Sequence, residues 1–484
     1  MQRFHNTLSG KIEDFVPIEA GKVRMYTCGP TVYDYPHIGN WRAYVFEDLL
    51  KRFLIYSGFG VTHVMNITDV DDKTIKGANA KGVGLDEYTR PFIEAFASER
   101  DRLNILPADH YPRATAFIPE MVGLIKILLE KGIAYRKDGS IYFAIAKFPA
   151  YGRLSKISLE DLRPGNRGDA DEYEKESVHD FALWKAPKEG EPAWETEIGP
   201  GRPGWHIECS AMSLKYLGRT FDIHCGGVDN IFPHHENEIA QSEAAHGVTF
   251  VHTWLHCHHL IVDGEKMAKS KGNFFRLSDV LARGFDAGEI RFLLLSTHYR
   301  KVLNFTDEAL QQARTSRNRI RNFLFELGHV ERDLPPNPAA ARAIGEARTA
   351  FVAGLEDDLN ISEALAALFE LVRSVNILVA RGALGREDAG RVIGFVKELD
   401  DSILGCLTGE GRTGAETEER PDVHGEAPVL EARLSALIEA RQKARADRNF
   451  RLADEIRGEL LAAGIVLEDI KDGVRWKSVG PAKP

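Results

Sequence analysis

Residues 204–245, GWHIECSAMSLKYLGRTFDIHCGGVDNIFPHHENEIAQSEA and its flank, gather Cys209, Cys225, His206, His224, His234, His235, Glu236 and Glu238. FPHHENEIAQSEAA reads as a loop running into a helix, with Glu236 and Glu238 near the first turn, where carboxylates suit the positive end of the dipole. His234 and Glu238 stand four apart, so one helical face can present imidazole and carboxylate together. Thiolate, imidazole and carboxylate are a reasonable donor set for zinc. One further ligand is needed, and Cys28 in MYTCGPTVYD supplies it, at the end of a strand where α/β sheets bind their ligands. The expected metal set is therefore Cys28, Cys209, His234 and Glu238. The alternative is that each cysteine is an inert buried thiol. The gap from position 28 to position 209 is unlike the close pairs of a zinc finger.

Four other stretches bear chemical groups. PHIGN at 36–40 puts Gly39 at a loop-to-helix junction, where helix amides can face phosphate and His37 and Asn40 can donate to it. It is neither a dinucleotide fingerprint nor a Walker A loop, and a helix cap with His37 at the surface is the plainer reading. VDGEKMAKSKGN holds Lys266, Lys269 and Lys271 with two glycines. It is either a cationic loop suited to closing over polyphosphate or an exposed turn. NITDVDDK places Asp69, Asp71 and Asp72 after a strand, to hold magnesium, bind an amine or cap a helix, the last being commonest. The histidines at 252, 256, 258 and 259 with Cys257 suggest a polar strand beside the pocket in preference to a second metal.

The elements that must position these groups are legible in outline. KVRMYTC reads as a strand, WRAYVFEDLLKRFLIYSG as a helix stopped by Gly58, and VTHVMNITDV as a second strand. Together they make a mononucleotide-binding half. Residues 85–132 read as two amphipathic helices ending before Gly132. IAYRKDGSIYFAIAKF reads as a hairpin turning at Asp138-Gly139. Residues 149–178 are polar and aperiodic, an insertion expected to move over a catalytic face. From 286 onward an all-helical region is expected, with Arg314, Arg317, Arg319 and Arg321 forming a local basic patch. Residues 408–427 read as a linker. The tail gives two helices and a hairpin at Asp472-Gly473, with Arg441, Lys443, Arg445, Arg448, Arg451 and Trp476 either meeting RNA or lining a solvated face.

At 484 residues the chain needs two to four domains. Its 43% hydrophobic and 28% charged content is that of a soluble globular protein. Five scattered cysteines suggest a reducing compartment. Neither a signal peptide nor a membrane span is expected, so the cytoplasm is the expected location. A net charge of −10 confines any nucleic-acid contact to local patches.

Read together, CGPTVYDYPHIGN, NITDVDDK, GWHIECSAM, FDIHCGGVDNIFPHHENEIAQSEA and GEKMAKSKGNFF occur in this order and resemble the cysteinyl-tRNA synthetase family, class I aminoacyl-tRNA synthetases, over essentially the whole chain. PHIGN is similar to that family's HIGH signature and KMAKS to its KMSKS signature. The resemblance implies an α/β protein: a Rossmann-like parallel-sheet catalytic domain with an insertion, then a helical bundle and a small α+β C-terminal unit. It implies these boundaries: 1–135 and 201–250 for the two catalytic halves, 136–200 for the inserted connective region, 251–315 for the KMSKS-type loop and stem-contact region. A helical tRNA-binding domain at 316–407, a linker at 408–427 and an anticodon-binding domain at 428–484 follow.

The implied activity is activation of L-cysteine by ATP with Mg2+, release of pyrophosphate and transfer to tRNA(Cys), by a monomer holding one Zn2+. The implied zinc ligands are again Cys28, Cys209, His234 and Glu238. Cys28, Gly29, Thr68 and Trp205 would meet the amino acid and Asp229 the adenylate. His37, Gly39 and Asn40 would serve the nucleotide, and Lys266 and Lys269 its phosphates. Departures are Asn40 for the last histidine of HIGH, Ala268 for the serine of KMSKS, and Cys225 where FDIHGGG is the usual run. Two alternatives compete: a cysteine ligase of mycothiol-like thiol-cofactor synthesis, disfavoured by the complete tail, and a non-catalytic RNA-binding paralogue, disfavoured by the retained lysines and ligands.

Overall fold

A computed structural model of the chain describes residues 1–157, 180–268, 271–408, 437–438, 440–445, 449–462, 465–470 and 473–478. Most of the polar insertion, Lys269, Arg448, the 409–427 part of the linker, the Asp472 side of the tail turn and the Trp476 side chain therefore lie outside the described residues. The chain divides into two units, Met1–Gly414 and Ala415–Pro484.

The first unit opens with a hairpin, β1 (Arg3–Asn6) and β2 (Lys11–Asp14). Then β3 (Lys22–Thr27), α1 (Ile38–Tyr56) and β4 (Gly60–Met65) make the expected strand–helix–strand unit. α2 (Asp72–Lys81), α3 (Leu85–Arg102) and α4 (Ile118–Glu130) follow. A separate antiparallel sheet holds β5 (Ala134–Lys137), β6 (Ser140–Phe143), β7 (Phe181–Lys185) and β8 (Arg202–Pro203) in chain order. Its first turn is Asp138-Gly139, both left-handed at φ 48 and 78, as a two-residue hairpin requires. The second half is α5 (Trp205–Leu217), β9 (Phe221–Gly227), α6 (Glu236–His246) and β10 (Val251–Cys257).

The central sheet runs β10-β9-β3-β4, every pair parallel. Each half contributes two neighbouring strands, and the halves meet between β3 and β9. That junction is the topological switch point, where open α/β sheets bind ligands beyond the carboxyl ends of their strands. Parallel strands buried on both faces must be apolar, and β3 and β9 carry Val23, Met25, Tyr26, Phe221 and Ile223 with 0% exposure. α1 covers one face with Trp41, Leu50, Phe53 and Leu54, also 0% exposed. Burying one leucine or phenylalanine contributes about 2–3 kcal/mol.

Beyond β10 the chain forms β11 (Leu260–Val262), β12 (Glu265–Lys266), α7 (Leu277–Ala282) and α8 (Ala287–Ser296). The region after 286 is not wholly helical: β13 (Leu303–Phe305) pairs in parallel with β11. α9 (Asp307–Gly328), α10 (Pro338–Glu356), α11 (Ile361–Ala380) and α12 (Arg386–Leu399) complete the bundle. Its tie to the catalytic half is ionic and buried. Asp48 of α1 accepts from Arg52 at 2.8 Å and from Arg291 of α8, and Arg291 also donates to the Leu404 carbonyl at 2.6 Å. The expected basic patch on α9 is reduced by the same economy of pairing. Arg314 bonds Glu289, and Arg317 is fully buried against Asp286 and the Cys406 carbonyl, leaving Arg319 and Arg321 on the surface side.

In the second unit, the helix Phe450–Ala462 is followed by antiparallel β14 (Ile465–Ile470) and β15 (Gly473–Ser478). Ile456, Leu460 and Leu467 form its core with Leu437 and Ile438 against them.

Candidate metal and substrate site

Cys28 follows β3 directly, and a π-type turn at Ile231–His235 runs into α6 at the end of β9. Both therefore lie at the switch point. There the Cys28 sulfur, a ring nitrogen each of His234 and His235, and a Glu238 oxygen all lie within 4.8 Å of one another. His235 Nε2 is 3.1 Å from Cys28 Sγ, and His234 Nε2 is 3.1 Å from Glu238 Oε1. The i,i+4 spacing thus does place imidazole and carboxylate on one face. Cys209, on α5, is buried beside them, close enough to Cys28 and His234 to couple to both electrostatically. Three of the four expected ligands, Cys28, His234 and Glu238, come together, and His235 joins them; Cys209 stands outside that group. The signal for His235 in the sequence was its position three before Glu238.

An outer ring of imidazoles supports the cluster. His224 Nε2 lies 3.1 Å from Glu238 Oε2, His206 Nδ1 lies 3.0 Å from His234 Nδ1, and His235 Nδ1 lies 2.8 Å from His256 Nε2. His256 reaches Thr7 at 2.8 Å. His256 is thus part of this support. Among the described residues the His256–His259 run makes no second metal group. Cys225 packs in the core on the α1 side of the sheet, whereas Cys209 packs on the opposite side. Cys225 is a core filler.

The electrostatics fit a cation. Burial and the neighbouring Cys209 push the Cys28 thiol well above its ordinary range. Burial also opposes ionisation of Cys209 and Glu238. Contact with Cys28 and His234 nevertheless brings Cys209 to about 6, and the imidazoles of His224 and His234 hold Glu238 at about 2. His234, against its own burial, is raised to about 10 by the charges of Cys209 and Glu238. Cys28 thus keeps its proton, while the Cys209 sulfur and the Glu238 carboxylate face a protonated His234 imidazole. Glu238 Oε1 is buried, with His234 Nε2 3.1 Å away as its ion-pair partner. A divalent ion in place of these protons would satisfy the sulfurs, the imidazole and the carboxylate together.

The residues expected to serve the nucleotide sit at the start of α1 and on the segment resting on it. His37 and Asn40 form a reciprocal capping box at the start of α1: the His37 amide donates to Asn40 Oδ1 at 3.0 Å, and the Asn40 amide to His37 Nδ1 at 3.2 Å. This is the structural role of the asparagine. A Cβ on Gly39 would lie 3.2 Å from Met267 Cε, so the segment carrying Lys266 rests on the start of α1. Ile38 also donates to the Phe275 carbonyl at 2.9 Å. Lys266 is exposed. Trp205 is 38% exposed and its ring stacks 4.3 Å from that of His234. Asp229 is exposed in the turn after β9. Thr68 is buried and bonds Glu208, the neighbour of Cys209, at 2.8 Å. A Cβ at Gly29 would stand 1.8 Å from the Asn66 carbonyl, so only glycine fits.

The three acids after β4 are taken up by partners within the protein. Asp69 is satisfied by Arg113 and Thr115, Asp71 caps α2, and Asp72 pairs with Lys185 and Arg202. Capping and ion pairing explain them.

Residues 14–315 match the family model described as the tRNA synthetases class I (C) catalytic domain. A cysteine–tRNA ligase of Chlamydia muridarum is 47% identical over 491 residues, covering 98% of this chain and 99% of that one. The chain belongs to the cysteine–tRNA ligase family. Another member, from Solibacter usitatus, is also 47% identical, covering 98% and 99% of the two chains. The family's further parts are matched too: a DALR domain at 350–408 and the cysteinyl-tRNA ligase anticodon binding domain at 427–476. Among solved structures, Mycobacterium tuberculosis methionyl-tRNA synthetase with methionyl-adenylate superimposes at a TM-score of 0.58 with 16% identity, covering 79% of this chain and 92% of that one. A leucyl synthetase–tRNA ternary complex of Agrobacterium radiobacter gives 0.58 at 13% identity, covering 81% and 85%. These two share the family's fold. Among the described residues no helix is long and apolar enough to cross a membrane.

Proposed function

We propose that this chain joins L-cysteine to tRNA(Cys) at the expense of ATP, as a cytoplasmic monomer, with one Zn2+ held by Cys28, Cys209, His234 and Glu238. The observation that carries the reading is the sulfur–imidazole–carboxylate cluster at the switch point, beside the capped start of α1. When bound, zinc supplies a soft acceptor for the substrate's sulfur that a serine hydroxyl, harder and far more basic, matches poorly. Such a contact separates two amino acids that shape alone discriminates weakly.

The chain's own residues do the rest. Gly29 lets the backbone come close to the amino acid, with Thr68 and Trp205 against it and Asp229 toward the adenylate. The substrate carboxylate attacks the α-phosphate of Mg-ATP in line, so no protein nucleophile is required. His37, Asn40 and the helix start at Gly39 hold phosphate oxygens, and Lys266 and Lys269 steady the pyrophosphate as it leaves. This is catalysis by placement and charge stabilisation. In the second step the terminal ribose hydroxyl of tRNA displaces AMP. Residues 316–407 hold the tRNA and the tail at 428–484 reads its anticodon.

The test is cysteine-dependent ATP–pyrophosphate exchange compared with serine, with zinc measured on the same sample. Wild type exchanges with cysteine and not serine, and Cys209→Ser loses both zinc and exchange. Exchange that persists in the zinc-depleted variant refutes the reading.

A further inference from the structure

Two buried polar side chains between the two thiol-bearing elements, Asn66 and Glu208, have so far been given no task, and Thr68 lies between them. Gly29 N–H donates to Asn66 Oδ1 at 2.9 Å, Asn66 Nδ2 donates to Thr68 Oγ1 at 3.0 Å, and Thr68 Oγ1 donates to Glu208 Oε2 at 2.8 Å. Asn66, Thr68 and Glu208 are 2%, 1% and 0% exposed. The chain of bonds begins at the residue after Cys28 and ends at the residue before Cys209. Asn66 uses both ends of its amide, which fixes the orientation of that group. The backbone reinforces the same join, with Thr68 N–H donating to the Pro30 carbonyl and Val32 N–H to the Thr68 carbonyl, each at 3.1 Å. Glu208 Oε1 is buried with no hydrogen-bond partner. A buried carboxyl group retained for a single bond is costly to stability, so what it holds must account for its presence.

We propose that Asn66 and Glu208 are positioning residues: through Thr68 they form a relay that sets the turn carrying Cys28 against the helix carrying Cys209, and so fixes the two sulfurs at a spacing that accepts the metal. The inference rests on the zinc and cysteine reading above. Outer partners that orient ligands typically contribute 10–100-fold to metal affinity, and the relay acts on both sulfurs at once.

The experiment uses the full-length protein and three variants. Glu208→Leu removes the acceptor at similar volume, Glu208→Gln keeps an oxygen for Thr68, and Asn66→Ala breaks the relay at its other end. Zinc affinity is read by competition with a chromogenic chelator, KM for cysteine and for ATP by pyrophosphate exchange, and folding by thermal unfolding of the zinc-stripped protein. Glu208→Leu and Asn66→Ala are expected to bind zinc about 10-fold or more weakly and to raise KM for cysteine in step. KM for ATP stays within about twofold, and Glu208→Gln behaves close to wild type. Wild-type zinc affinity in either relay-breaking variant overturns the proposal, as does a Glu208→Gln protein as impaired as Glu208→Leu. If Glu208→Leu does not fold, Asn66→Ala decides alone. A wild type that fails to exchange with cysteine sinks the functional reading instead, a separate result.

Discussion

At the scale of single residues, Cys28, His234, His235 and Glu238 cluster with Cys209 beside them, and a tetrahedral ion takes four ligands. His235 is the one best explained as a neighbour. Its Nδ1 is engaged by His256 at 2.8 Å, and its Nε2 lies 3.1 Å from the Cys28 sulfur, a distance suited to donating to a thiolate. His235→Ala is therefore expected to keep one zinc per chain at about 10-fold lower affinity, while His234→Ala loses the ion. Metal analysis after dialysis checks this, and equal loss in both would make His235 a ligand. A second residue-scale expectation concerns pH. Burial raises Glu99 from an ordinary 4.5 to about 7, opposed by its hydrogen bond from Trp41. The native state then holds the proton more tightly than the unfolded chain. That contribution is greatest below about 4.5 and is lost as pH rises to about 7. Glu99→Gln should flatten the dependence of stability on pH in that window, read by urea melts at several pH values. An unchanged slope would exclude Glu99 as its source.

At the scale of elements, the start of α1 is held by two side chains, one of which replaces a signature histidine. Asn40→Ala removes the acceptor for the His37 amide and should cost about 1 kcal/mol of stability, measured by denaturant unfolding. No loss would show the cap to be dispensable. Elements of this kind were legible in the sequence because their causes are local: the apolar stripe of α1 and its stop at Gly58, the Asp138-Gly139 hairpin, the helix ending before Gly132. What was not legible depends on partners far along the chain. β13 is three residues long and exists by pairing with β11. Arg317 looks like a surface cation until Asp286 and the Cys406 carbonyl are seen to enclose it. Glu208 carries no periodic signal, and its bond to Thr68 spans the whole insertion. Three of the expected ligands, Cys28, His234 and Glu238, fall in the cluster because chemistry narrows the choice of residue type; the imidazoles around them were not legible, because any histidine can sit in a core.

At the scale of the molecule, the Asp48–Arg52–Arg291 cluster joins the catalytic helix to the bundle with no solvent to share the charge. Arg291→Met leaves Asp48 with Arg52 and the Leu106 amide and should cost about 3 kcal/mol or more, seen as a lower melting temperature. A neutral result would mean that packing alone makes the join. The second unit has its own core at Ile456, Leu460 and Leu467. Deleting residues 415–484 should leave cysteine-dependent pyrophosphate exchange intact and impair charging of tRNA(Cys). Equal charging by the truncated protein would remove the unit from tRNA recognition.

The strand order has a consequence for biosynthesis. Cys28 emerges with the first pair of sheet strands, but Cys209, His234 and Glu238 arrive only with the second pair, after the intervening helices and hairpins have been made. A growing polypeptide therefore carries one lone sulfur and no site until nearly half of it has left the ribosome. On the zinc reading, capture of the ion would report that both halves have found each other, and would favour pairing of the late-arriving strands with the early ones.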